Sequence, residues 1–275
     1  MMPKPVPRVY RLDAAALRRW PLPMPPPDGD KEERGRVLVI GGAREMPGGV
    51  ILAATAALRA GAGKLTIATC RSVAALVALA IRESRVIALP ETSRGAVSTS
   101  AARAIEVDDT FDAVLIGPGM EGETATRKFV TAMLPKLKET TLVLDACAMN
   151  IVRGSTARAA GMRFSQRVIL TPHAGEMAHL TGVTKDEVET RPLDAARSAA
   201  ARWNAVVALK GATTFVAAPD GRVWRHEGKN IGLAVSGSGD TLAGIIAGLA
   251  AHPPNRLRPG AWRFMPELAS ASPTV

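Results

Sequence analysis

The sequence predicts one α/β domain in three layers, a mostly parallel central sheet with helices on both faces. Two observations carry this. From Arg36 onward, short runs rich in Val, Ile and Leu alternate with longer stretches whose apolar residues recur at helical spacing, the pattern of βαβ units. Four glycine-containing loops, at residues 41–49, 117–122, 171–177 and 210–214, each directly follow a predicted strand. Right-handed crossovers gather such loops at the carboxyl ends of the strands, where open α/β folds bind their ligands.

Residues 1–35 are proline-rich and read as an arm with one short helical patch at 13–19; the domain proper is expected over 36–251. Within it, strand 37–41 leads to a helix over about 48–62. Strand 64–70, helix 72–82, strand 85–89, helix 99–106 and strand 113–117 continue the rhythm. A long amphipathic helix is expected at 123–138, buried strands at 141–145 and 168–171, and a helix at 192–203. Segments 205–210, 214–218 and 223–226, the last two joined by Pro219-Asp220-Gly221, read as antiparallel and hairpin-like. The last helix begins around Asp240: Leu242, Ile245, Ile246 and Leu249 fall at helical intervals, and Gly244 and Gly248 mark a neighbouring face that can pack closely.

At 275 residues and 47% hydrophobic, the chain can bury a substantial core. The 35 Lys+Arg against 25 Asp+Glu give a formal charge of +10, which suits an anionic partner. Nucleic acid is not that partner on this reading, because only 4% of residues are aromatic and no basic run interleaves with stacking residues. Two distant cysteines, Cys70 and Cys147, fit a reduced, cytoplasmic protein, and no apolar run is long enough to cross a bilayer.

Several motifs mislead. GAGKLT at 61–66 imitates a phosphate loop, but Leu58 replaces its first glycine and Leu65 its hydroxyl residue. GSGDTL lacks the third glycine of a dinucleotide fingerprint. HAGEMAH, holding His173, Glu176 and His179, matches no zinc pattern. His173 is either a loop-fixing hydrogen-bond donor or a ligand contact.

The chemistry is placed at 230–250. Gly237 and Gly239 lack Cβ atoms, so the chain can turn tightly and bring Gly237, Ser238 and Gly239 N–H groups to an anion just before a helix N-terminus. Asp240 at that junction is either the helix cap or a general base that deprotonates a hydroxyl while phosphate is held in line.

Five segments in order, GGAREMPGGVILAATAALRAGAGKLTIAT, IGPGMEG, LTPHAGEMAHLTG, ALKGATTFVAAPDG and GLAVSGSGDTLAGIIAGLAA, resemble the ADP-dependent NAD(P)H-hydrate dehydratases over about residues 36–251. The resemblance implies a ribokinase-like fold. It also implies dehydration of the S epimer of NADH-hydrate or NADPH-hydrate: ADP phosphorylates the C6 hydroxyl, phosphate then leaves, and NAD(P)H, AMP and phosphate result. Carried over residue by residue, Asp240 is the base, and Gly237, Ser238 and Gly239 form the anion hole. Lys210, Gly211, Ala212, Thr213, Thr214 and Gly239 hold the nucleotide, while Gly49, Gly119, His173 and Asp240 line the hydrated-cofactor site. Mg²⁺ is expected on the nucleotide phosphates, with no ligand from protein side chains. A separate epimerase and a homo-oligomer, a tetramer, are the implied partners. Val235 stands where the family often has threonine. The proline- and arginine-rich segment 252–275 departs from the family, and an altered terminus or frameshift is the expectation there. Two other readings share the same residues, a ribokinase-like small-molecule kinase and a catalytically impaired nucleotide-binding protein.

Overall fold

The structure is a computed structural model that describes residues 9–19, 34–106, 111–154, 162–228 and 231–252. The proline run at 21–27 and the tail after His252, with its altered-terminus expectation, lie outside the described residues.

A short edge strand β1 (Val9–Arg11) and helix α1 (Ala14–Arg18) precede the repeating units. Then follow β2 (Arg36–Ile40), α2 (Pro47–Arg59), β3 (Lys64–Cys70), α3 (Arg71–Ala80), β4 (Arg85–Leu89), β5 (Ala113–Ile116) and α4 (Glu123–Met133). The chain continues through β6 (Thr141–Leu144), β7 (Val168–Leu170), α5 (Ala174–Thr181), α6 (Lys185–Thr190) and α7 (Pro192–Trp203). It closes with β8 (Val206–Leu209), β9 (Thr213–Ala217), β10 (Val223–Glu227) and α8 (Ser238–Ala250). One ten-stranded sheet results, in the order β1-β10-β9-β8-β7-β6-β5-β2-β3-β4. Among the strand pairs of the described residues, β8–β9 and β9–β10 are antiparallel and the others parallel, as the hairpin pattern predicted.

Alternate residues of each central strand serve opposite faces. Val37, Val39, Leu115, Val143 and Ile169 pack with α2 and α8, whereas Leu38, Ile40, Ile116, Leu144 and Leu170 pack with α4, α5 and α7. Three layers therefore exist because the strands are apolar on both sides.

Four local departures from expectation have physical causes. Residues 99–106 form only a 3₁₀ turn at Thr99–Arg103, opened by the Ser98 side chain. The predicted helix 123–138 ends as an α-helix at Met133, because Pro135 has no N–H with which to continue the ladder; a 3₁₀ turn, Leu134–Lys136, follows. Helices α5 and α6 were not predicted, although Thr184 and Glu187 form a capping box that is visible as T-x-x-E. Finally, β1 shows that part of the arm pairs, in parallel, with β10. Cys70 is buried, and burial pushes its thiol up to about 11.

Candidate active site

Helix α8 sets the geometry. Gly237 caps it at φ 85°, a left-handed conformation that costs glycine nothing, and Thr241 returns N–H and hydroxyl bonds to its carbonyl. Asp240 is therefore in the first turn, three residues inside the cap, and no side chain caps the helix, so the capping interpretation of its carboxylate does not hold. Ser238 gives its N–H to the Val235 carbonyl at 3.3 Å, leaving it committed in this state rather than open to an anion. Gly239, as a first-turn residue, has no intrahelical acceptor to reach.

Close packing of α8 on α2 brings two loops to Asp240. At Gly49, the third residue of α2, an added Cβ would stand 2.7 Å from Gly119 N and 3.1 Å from Asp240 Oδ1. Gly119 itself has φ 65°. Residues from three separate segments, Gly49, Gly119 and Asp240, thus converge with backbone close beside the carboxylate.

Lys210 enters from the other side. It follows β8, donates its N–H to the Pro172 carbonyl at 2.8 Å, and pairs with His173 in a parallel bridge. Its Nζ lies 3.5 Å from Asp145 Oδ1, 3.9 Å from Glu176 Oε2 and 3.4 Å from the point where a Cβ of Gly239 would be. The ammonium is thereby placed against the turn that was read as an anion cradle. Gly211, Ala212, Thr213 and Thr214 continue from it into β9; Ala212 accepts the Gly228 N–H at 3.0 Å and Thr214 Oγ1 donates to the Gly211 carbonyl at 3.4 Å.

His173 caps α5. Its Nδ1 accepts the N–H groups of Gly175 at 3.0 Å and Glu176 at 3.2 Å, while Glu176 accepts the His173 N–H at 2.8 Å. The ring is thus a loop-fixing acceptor through Nδ1, where the sequence left open a loop-fixing donor or a ligand contact, and its Nε2 lies 3.6 Å from Glu176 Oε2 on an exposed side chain.

Burial, and then the negative charge of Asp145, raise the Asp240 carboxyl above its ordinary value against the opposing pull of Lys210; Glu176 adds a smaller push. A carboxylate with enhanced proton affinity is a better general base at neutral pH. Asp145 and Thr171 escaped the sequence reading because their loops were judged by glycine content. The signal present was position: an acidic residue closing an all-apolar strand at its carboxyl end. Among the described residues no cluster of three or more His, Cys, Asp or Glu side chains has metal-binding geometry. Three carboxylates against one ammonium nevertheless suit a divalent cation that arrives with phosphates. A hollow at the β1–β10 edge, lined in part by Arg11, Asp13, Arg225 and Glu227, has its charges paired internally. Among the described residues no helix is long and apolar enough to cross a membrane.

Comparison with known proteins gives the family. The profile of the NAD(P)H-hydrate dehydratase family matches residues 37–259. The chain is 46% identical to the ADP-dependent (S)-NAD(P)H-hydrate dehydratase of Xanthomonas campestris pv. campestris, over 93% of this chain and 85% of that protein. It is 42% identical to the bifunctional NAD(P)H-hydrate repair enzyme of Moorella thermoacetica, of which it spans only 46%. Its fold is similar to the ADP/ATP-dependent NAD(P)H-hydrate dehydratase from Bacillus subtilis co-crystallised with ATP/Mg²⁺, with a TM-score of 0.77 at 29% identity, covering 95% of this chain and 85% of that one.

Proposed function

The chain belongs to the NAD(P)H-hydrate dehydratase family, and on that premise we propose how its own residues carry out the ADP-dependent removal of water from hydrated NADH or NADPH. The observation that carries the mechanism is the meeting of Asp240 with Gly49 and Gly119, with the Lys210 ammonium set against the adjoining Gly239.

The hydrated nicotinamide lies across Gly49 and Gly119, where the absence of side chains lets a flat ring approach the backbone. Asp240 accepts the proton of the C6 hydroxyl as that oxygen attacks the β-phosphorus of ADP, and AMP leaves with the electrons of the broken P–O bond. The Gly239 N–H, the dipole of α8 and Lys210 oppose the charge that develops on the transferring phosphoryl group. Gly211 to Thr214 cradle the nucleotide beside Lys210. The ring nitrogen then pushes its lone pair toward C6, phosphate departs with the C6–O bonding electrons, and loss of a C5 proton restores the dihydronicotinamide. Mg²⁺ on the phosphates would neutralise part of their charge; the net acidic surroundings of Asp240, Asp145 and Glu176 fit it.

The test is recovery of reduced-nicotinamide absorbance from chemically hydrated NADH with Mg²⁺ and ADP, with AMP and phosphate quantified. Equal amounts of NADH, AMP and phosphate are expected. Accumulation of a stable phosphoester without absorbance recovery would identify a kinase and refute the mechanism.

A further inference from the structure

Asp145 enters the chemistry described above only through its charge, yet it is the most enclosed charged group there. It closes β6, gives its N–H to the Ile116 carbonyl at 3.0 Å, and its side chain is 4% exposed. The next residue, Ala146, is forced to φ 46°, unusual for a residue with a Cβ. Gly117 makes room for this turn: a Cβ there would stand 2.7 Å from the Asp145 carbonyl carbon. The carboxylate is aimed as well as buried, because the Thr171 hydroxyl, itself fully buried, donates to Oδ1 at 2.5 Å. The same Oδ1 receives Lys210 Nζ at 3.5 Å.

Lysine is a poor positioning device by itself, a compact charge on a flexible four-carbon stem. Here the stem is held at both ends. Its backbone is tied to Pro172, and its ammonium is tied to a carboxylate that cannot turn. We propose that Asp145 is a positioning residue that, fixed by Thr171, anchors the Lys210 ammonium against the Gly239 turn so that the cation is already in place where phosphoryl charge develops. The assignment rests on the proposed reading of that turn as the phosphoryl cradle and deepens it: preorganisation lowers the cost of aligning the charge at the moment of transfer. Thr171 matters only through Asp145, and Asp145 through Lys210. The charged groups acting on Asp240 are Asp145, Lys210 and Glu176, so removing Asp145 also removes a push on the base. The acid limb of the pH–rate profile consequently moves to lower pH in D145N.

A double-mutant cycle on the full chain, read as phosphate release from ADP and hydrated NADH, tests this. D145N is expected to lower kcat about tenfold while KM for the hydrated cofactor stays within about twofold, because the lost contact is one that counts at the transition state. In a K210M background, read on the pH plateau where the shift of the acid limb no longer acts, the same change is expected to cost nothing further in kcat. T171V should lower kcat by a smaller factor, again only while Lys210 is present, and T171S should restore it. A D145N cost that persists undiminished with K210M overturns the proposal. So does a D145N defect that added Mg²⁺ abolishes, since the carboxylate would then serve the metal. If D145N loses its cooperative thermal transition, the T171V, T171S and K210M set decides by the same criterion. A wild type that releases no phosphate overturns the reading beneath; an active wild type, an inactive D240N and additive D145N and K210M costs overturn the Asp145 role alone.

Discussion

Gly244 of α8 rests directly on the main chain of Ala53 in α2: a methyl group at Gly244 would fall on the Ala53 carbonyl oxygen and 2.7 Å from its carbonyl carbon. One turn on, a methyl at Gly248 would stand 2.6 Å from the Ala57 carbonyl oxygen. This seam fixes the distance between the helix that carries Asp240 and the helix that carries Gly49.

Two opposite effects of alanine can therefore be set against each other. Replacing a mid-helix glycine gains about 0.5–1 kcal/mol of helix propensity, whereas overpacking a close contact costs about 1–3 kcal/mol. Backbone on backbone has nowhere to move, so Gly244→Ala is expected to be net destabilising by ~1–2 kcal/mol and to lower kcat by separating Asp240 from Gly49. Gly48→Ala, in the first turn of α2 with nothing within 4 Å of the new methyl, should be neutral or stabilising. Urea midpoints of the two variants check this; a G244A midpoint at or above that of the wild type would refute the seam.

Asp240 should be expensive for the fold. Its raised pKa means that the ionised form is disfavoured in the native state by burial and by Asp145. The resulting destabilisation is present above the native pKa and is relieved as pH falls through that value toward the unfolded one. Asp240→Asn is accordingly expected to melt at or above the wild-type temperature at neutral pH, with the advantage shrinking in acid. Its phosphate release should fall about 10²-fold or more for loss of the base. Thermal melts across pH are the measurement, and a variant less stable at neutral pH would contradict the electrostatic account.

His173 separates capping from binding. Asparagine caps helices well, whereas alanine at such a position costs typically about 1 kcal/mol. His173→Asn is expected to keep wild-type stability, His173→Ala to lose it, and both to raise KM for the hydrated cofactor through loss of the exposed imidazole. Melting temperatures and KM values for both variants decide the matter. Full recovery of KM in the asparagine variant would reduce His173 to a structural cap.

How much was legible beforehand follows from where the signal lay. The central strands announced themselves because they are buried on both faces and read as unbroken Val, Ile and Leu runs. The hairpin of β9 and β10 was marked by Pro219-Asp220-Gly221, and Asp240 by the glycines before it. The short helices α5 and α6 were missed because length and periodicity say little about six or eight residues, where capping side chains decide. Strand β1 was missed because three residues carry no pattern, and its partner β10 is over two hundred positions away.

The sequence by itself determined the layered fold, the order of the strands' loops and the glycine turn that leads into Asp240, since each depends on local periodicity, glycine placement or a motif. Tertiary structure alone decided that Gly49 and Gly119 meet at Asp240, that Ser238 has spent its N–H, and that Asp145 holds Lys210. Those facts arise from crossovers that bring the carboxyl ends of β2, β5, β6, β7 and β8 side by side and from two helices touching through glycine. Neither distance nor direction between remote segments is written in the local order of side chains.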